Sequence, residues 1–239
     1  MHCWSTPIYE AYPKSLRSKR FNRSLTSRAV EAFDGFAPEM RAAGREWRGV
    51  SAEHHDFTGP SLFFDWQCQS WDREDAEGKP FPSTPLHQAL VGSQEFRTLH
   101  GVLSECVRDY PNCIGKSCAL EGGDPELFTW ASVHRDGGSH LQHVHPGSIV
   151  SGVYYSSVPD NAGCLLFDDP RDPLPPFNER ITIHPARGKL VMFPSWLTHQ
   201  VTPTTGQEPR VSWSFNVLNG GWDHTSAIMV PTDFADDDT

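Results

Sequence analysis

The chain has 239 residues, with 20 basic and 30 acidic side chains and a formal net charge of −10. This length suits one domain, and no apolar run approaches the about 18 residues that a membrane-spanning helix needs. The acidic balance argues against a general nucleic-acid-binding protein, because an acidic surface repels phosphates. The 12 histidines direct attention to metal binding.

The basic N-terminal region has two interpretations. Residues 14–28 contain basic side chains and no acidic one, which is typical either of an organelle transit peptide or of a folded helix with a basic face. Residues 1–30 contain no apolar signal-peptide core, and Ile8 and Tyr9 favour the folded interpretation. The six cysteines form no C-x-x-C pair, so we expect reduced thiols and a cytoplasmic protein.

The first half of the chain has mostly helical patterns. Asn22 and Ser93 are candidate helix caps, and Pro111 is expected to end the second helix. Between the two helices, a segment rich in Gly, Pro, Ser and Asp is expected to form a loop, and this loop and the Pro-rich segment 170–180 are expected to form a lid. The predicted elements are a strand at 4–12, a helix at 22–35, a loop at 50–84 and a helix at 93–109.

From residue 125 onward the pattern changes to short β-like runs separated by turn residues, which favours a β-sandwich or barrel. We predict a mainly β fold with helical support in a single domain, 1–239. It would comprise a helical support region over 1–124, a β core over 125–220 and a tail over 221–239. The predicted strands are 127–133, 149–158, 163–167, 181–184, 189–193, 199–201 and 210–218.

Three histidines have the spacing of a metal site. His143 and His145 are two residues apart, which puts both imidazoles on one face if the segment is a strand. His199 opens a later β-like run and is the candidate third ligand. His140 is three residues before His143 and is interpreted as a neighbour of the site or a loop residue.

The run that begins at Arg210 alternates polar and apolar residues. Arg210 and Ser212 fall on one face, which is predicted to line the barrel interior. A buried arginine needs an anion, and this strand contains no acidic residue. A guanidinium beside a hydroxyl is suited to holding a carboxylate of a ligand.

These motifs resemble the iron(II)/2-oxoglutarate-dependent oxygenase superfamily, and most closely a subgroup known mainly from bacterial and phage sequences. The resemblance covers residues of about 125–218, with a weaker likeness at Thr6-Pro7-Ile8 and the helix that contains Asn22. The matching stretches are His143-Val-His-Pro-Gly-Ser, Ser151-Gly-Val-Tyr-Tyr, Phe193-Pro-Ser-Trp-Leu-Thr-His and Arg210-Val-Ser-Trp-Ser-Phe-Asn.

The resemblance implies a double-stranded β-helix, that is, a jelly-roll or cupin-like barrel with N-terminal α-helices. It implies Fe(II) bound by His143, His145 and His199, which are also the catalytic residues. Arg210, assisted by Ser212 and Tyr155, would bind the distal carboxylate of the co-substrate 2-oxoglutarate. The implied activity is hydroxylation of a small-molecule or peptide substrate by O2, with release of succinate and CO2.

One position departs from the superfamily pattern. Most members have a carboxylate two residues after the first histidine, whereas this chain has His145. A neutral third ligand makes the net charge of the metal site one unit more positive. The identity of the metal and the outcome of the oxidation therefore remain open. Asp168 or Asp169 is an alternative source of a carboxylate, although Phe167-Asp-Asp-Pro has the composition of a turn.

Two other functions remain open at this point. One is a three-histidine cupin-type dioxygenase that does not use 2-oxoglutarate, and the other is a non-catalytic metal-binding protein. The pair Arg210 and Ser212 favours the oxygenase. A structural zinc site normally has four protein ligands, which argues against the third possibility. The sequence indicates neither the substrate nor the oligomeric state.

Overall fold

The structure is a computed structural model that describes most of the predicted core. It describes residues 6–42, 89, 92–113, 126–135, 137–146, 148–171, 174 and 178–218. The predicted loop over 50–84 and the predicted tail over 221–239 lie outside the described residues, as does part of the Pro-rich segment 170–180.

Two helices cover one side of a β structure. Helix α1 spans Lys19–Ala42 and helix α2 spans Gln94–Cys113, after a 3-10 turn at Lys14–Leu16. In α2, residues at spacings of three and four positions point inward: Phe96, Leu99, Leu103, Val107 and Tyr110 are buried. Neither described helix has the length and apolarity that crossing a bilayer requires.

Nine described strands form two antiparallel sheets. The five-stranded sheet has the order β1-β7-β4-β9-β2, and the four-stranded sheet has the order β3-β8-β5-β6. The strands are β1 Tyr9–Ala11, β2 Glu126–His134, β3 His140–His143, β4 Ser148–Ser157, β5 Leu165–Asp168, β6 Arg180–Ile183, β7 Leu190–Pro194, β8 His199–Val201 and β9 Arg210–Leu218. The prediction of a mainly β fold with helical support is confirmed, and the two-sheet arrangement is a double-stranded β-helix.

The large sheet separates two apolar clusters. On its outer face, Tyr154, Trp213 and Phe215 pack with α1 and α2. On its inner face, Val153 and Tyr155 pack against side chains from the small sheet such as Phe167. Strand β4 is buried over most of its length because apolar groups cover both faces. The polar face of β9 is therefore turned into the barrel, as its alternation predicts.

The structure corrects several predicted boundaries. The first strand covers only Tyr9–Ala11 of the described part of 4–12. Asn22 is not a helix cap: it lies inside α1, where its side-chain nitrogen donates to the Leu16 carbonyl over 2.6 Å and its oxygen accepts from the Tyr154 hydroxyl over 2.7 Å. Helix α2 begins at its Ser93 cap, whose Oγ accepts from the Phe96 N–H, but it ends two residues after Pro111 rather than before it.

Candidate functional site

Three histidines converge at the edge where strands β3 and β8 pair. His143 lies opposite His199 in the register of these strands, and their ring centroids are 4.3 Å apart. The ring of His145 is 5.0 Å from each of the other two. One ring nitrogen from each lies within 4.8 Å of the others, so this cluster could hold a metal ion.

Two of these rings have a fixed tautomer. The Nδ1–H of His143 donates to the Leu141 carbonyl over 2.7 Å, and the Nδ1–H of His199 donates to the Leu197 carbonyl over 2.8 Å. A carbonyl oxygen can only accept, so the proton of each neutral ring is on Nδ1 and Nε2 is left with its lone pair. This orientation of metal-binding histidines by backbone carbonyls is common in protein metal sites.

The surroundings of His145 and His199 favour neutral imidazoles. Burial, with the nearby His143, lowers the pKa of His199 to about 3. Burial also lowers the pKa of His145 well below its usual value, with a smaller contribution from His199 and His143. Aromatic rings supply part of this environment, since Phe193 packs 4.8 Å from the His199 ring. Neutral imidazole is the form that binds metal ions.

His145 reaches the cluster by a different route from the one the sequence suggests. Strand β3 ends at His143, so His145 lies in the following turn rather than on the same strand face. The backbone N–H of His145 donates to the Ser195 carbonyl over 2.9 Å, which ties this turn to the segment just before β8. Its ring also lies 5.8 Å from that of Trp130. Tertiary contacts, not strand alternation, bring the third imidazole in.

The alternative carboxylates are engaged elsewhere. Asp168 accepts hydrogen bonds from the side chains of Gln142 and Arg180. Asp169 forms an ion pair with Arg171. Among the described residues, neither joins the histidine cluster.

Arg210 is a buried cation at the bottom of the same barrel. Its side chain is only 1% exposed, and burial lowers the pKa of its guanidinium. No carboxylate of the described residues forms an ion pair with it. Its Nη1 donates to Ser212 Oγ over 3.2 Å, while its Nε has no hydrogen-bond partner there. An unpaired buried charge is costly, so this group is suited to an anionic ligand.

Tyr155 faces the same guanidinium. Its ring centroid is 5.2 Å from Arg210 Cζ, and Tyr155 lies opposite Ser212 in the pairing of β4 with β9. Burial raises the pKa of the Tyr155 phenol, an effect partly offset by Arg210, so its hydroxyl remains protonated at neutral pH. Arg210, Ser212 and Tyr155 are thus close together, as predicted, and each offers a polar hydrogen.

A second histidine pair, absent from the predicted site, lies between these two groups. Arg210 Nη1 also donates to His134 Nδ1 over 3.1 Å, and His134 Nε2 lies 3.0 Å from His140 Nε2. The His140 ring in turn is 6.1 Å from that of His143. The sequence analysis noted His140 as a neighbour of the site but missed His134. The available signal was strand alternation: extending the predicted strand 127–133 by one residue puts His134 on the same face as Ser132.

Comparisons with known proteins agree with this geometry. Residues 128–216, which run from β2 to β9, match the family described as "Putative 2OG-Fe(II) oxygenase". No curated protein matches the chain significantly.

Several solved structures share the fold. One is a prolyl-4-hydroxylase from Pseudomonas putida, with a TM-score of 0.52, 13% identity, and coverage of 91% of this chain and 95% of that one. Another is AviO1 from Streptomyces viridochromogenes, with a TM-score of 0.53, 9% identity, and coverage of 91% and 92%. A third is the non-heme α-ketoglutarate-dependent carbocyclase SnoK from nogalamycin biosynthesis, with a TM-score of 0.53, 14% identity, and coverage of 90% and 80%.

Because the sequence identities are low, these structures support only the assignment of a double-stranded β-helix fold. The family match is separate evidence, since it rests on the sequence of residues 128–216. Over residues 128–216 the chain therefore matches the "Putative 2OG-Fe(II) oxygenase" family, that is, a family of enzymes whose metal is Fe(II) and whose co-substrate is 2-oxoglutarate.

Proposed function

We propose that this enzyme hydroxylates a small-molecule or peptide substrate while 2-oxoglutarate is converted to succinate and CO2. The observation that carries the proposal is the combination of two features in one barrel. One is a cluster of three imidazoles that could hold a metal ion, and the other is a buried guanidinium with no counter-ion among the described residues.

His143, His145 and His199 are the proposed metal ligands. The donor set fits Fe(II), since imidazole nitrogen suits this ion and a three-ligand face leaves positions for a co-substrate and O2. The Nδ1–H groups of His143 and His199 donate to backbone carbonyls, so Nε2 is the nitrogen of each neutral ring that is left to bind the metal.

Arg210, Ser212 and Tyr155 are the proposed binding residues for the distal carboxylate of 2-oxoglutarate. The fit rests on the buried Arg210 Nε and Tyr155 Oη, which have no hydrogen-bond partner with standard geometry among the described residues. A carboxylate has two oxygens that can accept from such donors, and it would neutralise the guanidinium. When bound, Fe(II) and 2-oxoglutarate supply the activation of O2, and the protein's own groups orient and desolvate the reactants.

Exposed apolar side chains next to the ligands support an apolar contact with the substrate. Leu141 is two residues before His143, Val144 separates His143 from His145, and Trp196 follows Ser195, which holds the turn of His145. Trp196 is 57% exposed although it is a large apolar residue. Such a surface beside an active site fits a substrate that has an apolar portion.

The test is 2-oxoglutarate turnover with Fe(II) under O2, measured as succinate and CO2 formation, for wild type and Arg210→Met. We expect turnover in the wild type, stimulated by an accepted substrate, and its loss in Arg210→Met. Arg17→Met is the matched control, because Arg17 lies at the exposed N-terminal side and donates to the Tyr12 carbonyl. Wild-type protein that binds Fe(II) but neither binds nor consumes 2-oxoglutarate would overturn the proposal.

The three-histidine cupin-type dioxygenase is the second candidate, favoured by the all-imidazole ligand set. That reaction needs O2 but no 2-oxoglutarate. O2 uptake in the presence of Fe(II) and substrate, independent of added 2-oxoglutarate, would favour it over the oxygenase.

A further inference from the structure

The buried pair of His134 and His140 has one consistent proton arrangement. Arginine can only donate, so the 3.1 Å contact makes His134 Nδ1 an acceptor. A ring with a bare Nδ1 carries its proton on Nε2, and this proton points at His140 Nε2, which is 3.0 Å away. His140 Nε2 must therefore accept, which leaves its proton on Nδ1. Both rings are neutral.

This arrangement is built by the fold rather than by local sequence. His134 lies directly opposite Arg210 in the pairing of β2 with β9, although 76 positions separate them. Both histidines are buried, with His134 completely inaccessible to solvent. Their rings meet edge to face with centroids 4.6 Å apart. Packing thus fixes the ring that contacts the guanidinium.

The chemical consequence concerns charge. A buried arginine is usually held by a carboxylate, which fixes its position but cancels its charge. Here Arg210 is held by a neutral imidazole and by the Ser212 hydroxyl, so it is positioned without being neutralised. The full positive charge remains available to a dianionic ligand.

We propose that His134, braced by His140, is a positioning residue that orients Arg210 for the distal carboxylate of 2-oxoglutarate while leaving its charge uncompensated. This inference rests on the proposed function, because it assumes that Arg210 binds 2-oxoglutarate. It extends that function by assigning a role to two residues outside the metal and carboxylate-binding groups. The proposal depends on the neutral charge of the two imidazoles and not only on the space that they fill.

The substitutions His134→Asn and His134→Asp separate charge from shape. The two side chains are nearly isosteric, and each can place an oxygen near the position of Nδ1 to accept from Arg210. The amide remains neutral, whereas the carboxylate forms an ion pair with Arg210 and repels the incoming anion. We expect His134→Asn to bind 2-oxoglutarate within about 3-fold of wild type and His134→Asp to bind at least about 10-fold more weakly.

Binding is measured by calorimetric titration of 2-oxoglutarate into full-length protein loaded with Zn(II), which prevents turnover. Zn(II) affinity itself is measured for all three proteins and is expected to be unchanged, since His134 is not in the metal cluster. Equal 2-oxoglutarate affinity in His134→Asp and His134→Asn would overturn the proposal, whether both resemble wild type or both are weak. No binding by the wild type, with Zn(II) bound, would instead show that the proposed function fails.

A second measurement does not depend on the folding of the His134 variants. Nitrogen NMR of ¹⁵N-histidine-labelled wild type loaded with Zn(II) reports the tautomer of each ring. We expect the spectrum to contain the signals of one neutral ring that has its proton on Nε2. These signals should shift in Arg210→Lys, which would assign the ring to His134. A protonated His134, or a neutral one with its proton on Nδ1, would exclude it as the acceptor from Arg210 and overturn the proposal.

Discussion

His143 and His199 are a cross-strand pair whose imidazoles are held in the same way. Each donates its Nδ1–H to the carbonyl oxygen two residues earlier in the chain, Leu141 for one and Leu197 for the other. The two strands are antiparallel, so these equivalent local arrangements face each other with ring centroids 4.3 Å apart. Two lone pairs are thereby presented to one point before any ion arrives, which lowers the entropic cost of metal binding.

The first prediction concerns this pair. His199→Ala removes one of three proposed ligands, and we expect it to weaken Fe(II) or Mn(II) binding by more than about 100-fold. Mutating a residue that only orients a metal ligand already lowers metal affinity by about 10–100-fold. Gln200→Ala is the control, because Gln200 is next in the strand but outside the cluster. Anaerobic calorimetric titration measures both. An affinity unchanged in His199→Ala would remove His199 from the site.

The second prediction concerns the third ligand. His145→Asp introduces the carboxylate that most of the superfamily has, and we expect it to keep metal binding because it supplies an anionic oxygen, while His145→Ala weakens it. The wild type is expected to turn over 2-oxoglutarate without this change. If coupled turnover appears only in His145→Asp, the three-imidazole site of the wild type does not support the reaction.

The third prediction concerns the energetic cost of Arg210. A buried cation with no ion-pair partner among the described residues destabilises the fold, so Arg210→Met is expected to raise the free energy of unfolding of the metal-free protein by roughly 1–2 kcal/mol. The same variant should lose stabilisation by 2-oxoglutarate. Urea unfolding measures both effects, with Arg17→Met expected within about 0.5 kcal/mol of wild type. A strongly destabilised Arg210→Met would mean that the fold already compensates this charge.

The fourth prediction is a pH dependence. Burial, followed by the charge of Arg210, holds the pKa of His134 well below the ordinary value of 6.5. Below pH 6.5 the His134 ring takes up a proton when the protein unfolds, whereas in the folded state it stays neutral. The unfolded state is therefore favoured as the pH falls, so the contribution of the neutral His134 to the free energy of unfolding is full above pH 6.5 and is lost below it.

We expect the unfolding free energy of the metal-free wild type to decline below pH 6.5, and His134→Asn to reduce the slope by up to about 1.4 kcal/mol per pH unit. Urea unfolding at a series of pH values measures this slope. Identical slopes in the two proteins would mean that His134 is protonated equally in the folded and unfolded states.

The fifth prediction concerns the packing of β4 on its neighbours. A Cβ added at Gly152 would overlap the Phe215 ring and approach the Val191 carbonyl oxygen to 2.9 Å. Gly152→Ala is therefore expected to destabilise the protein by about 1–3 kcal/mol. Gly101→Ala is the control, because nothing lies within 4 Å of its Cβ position and alanine favours the helix by about 0.5–1 kcal/mol. Thermal unfolding measures both, and an unaffected Gly152→Ala would show that β4 has room to shift.

Some predictions stay untested by the structure. The division into a support region over 1–124 and a tail over 221–239 includes residues outside the described part of the chain, as does the proposed lid over 50–84. A cytoplasmic location likewise stays a prediction.

Local sequence determined the two described helices and most strands, apart from their exact ends and from β3, which is not among the predicted strands. It also determined which polar residues of β9 face inward. Alternation alone is enough to separate Arg210 and Ser212 from Val211 and Trp213, because successive side chains of a strand point to opposite faces. The family pattern then identified three histidines whose chemistry suits one ion.

Only the tertiary structure decided how these groups meet. His145 lies beyond the end of β3, so no strand periodicity fixes its direction, and a hydrogen bond to Ser195 does so instead. His134 acquires its role because the pairing of β2 with β9 sets it opposite Arg210. Pairing register depends on the packing of whole sheets, which is a long-range property that a short stretch of sequence does not encode.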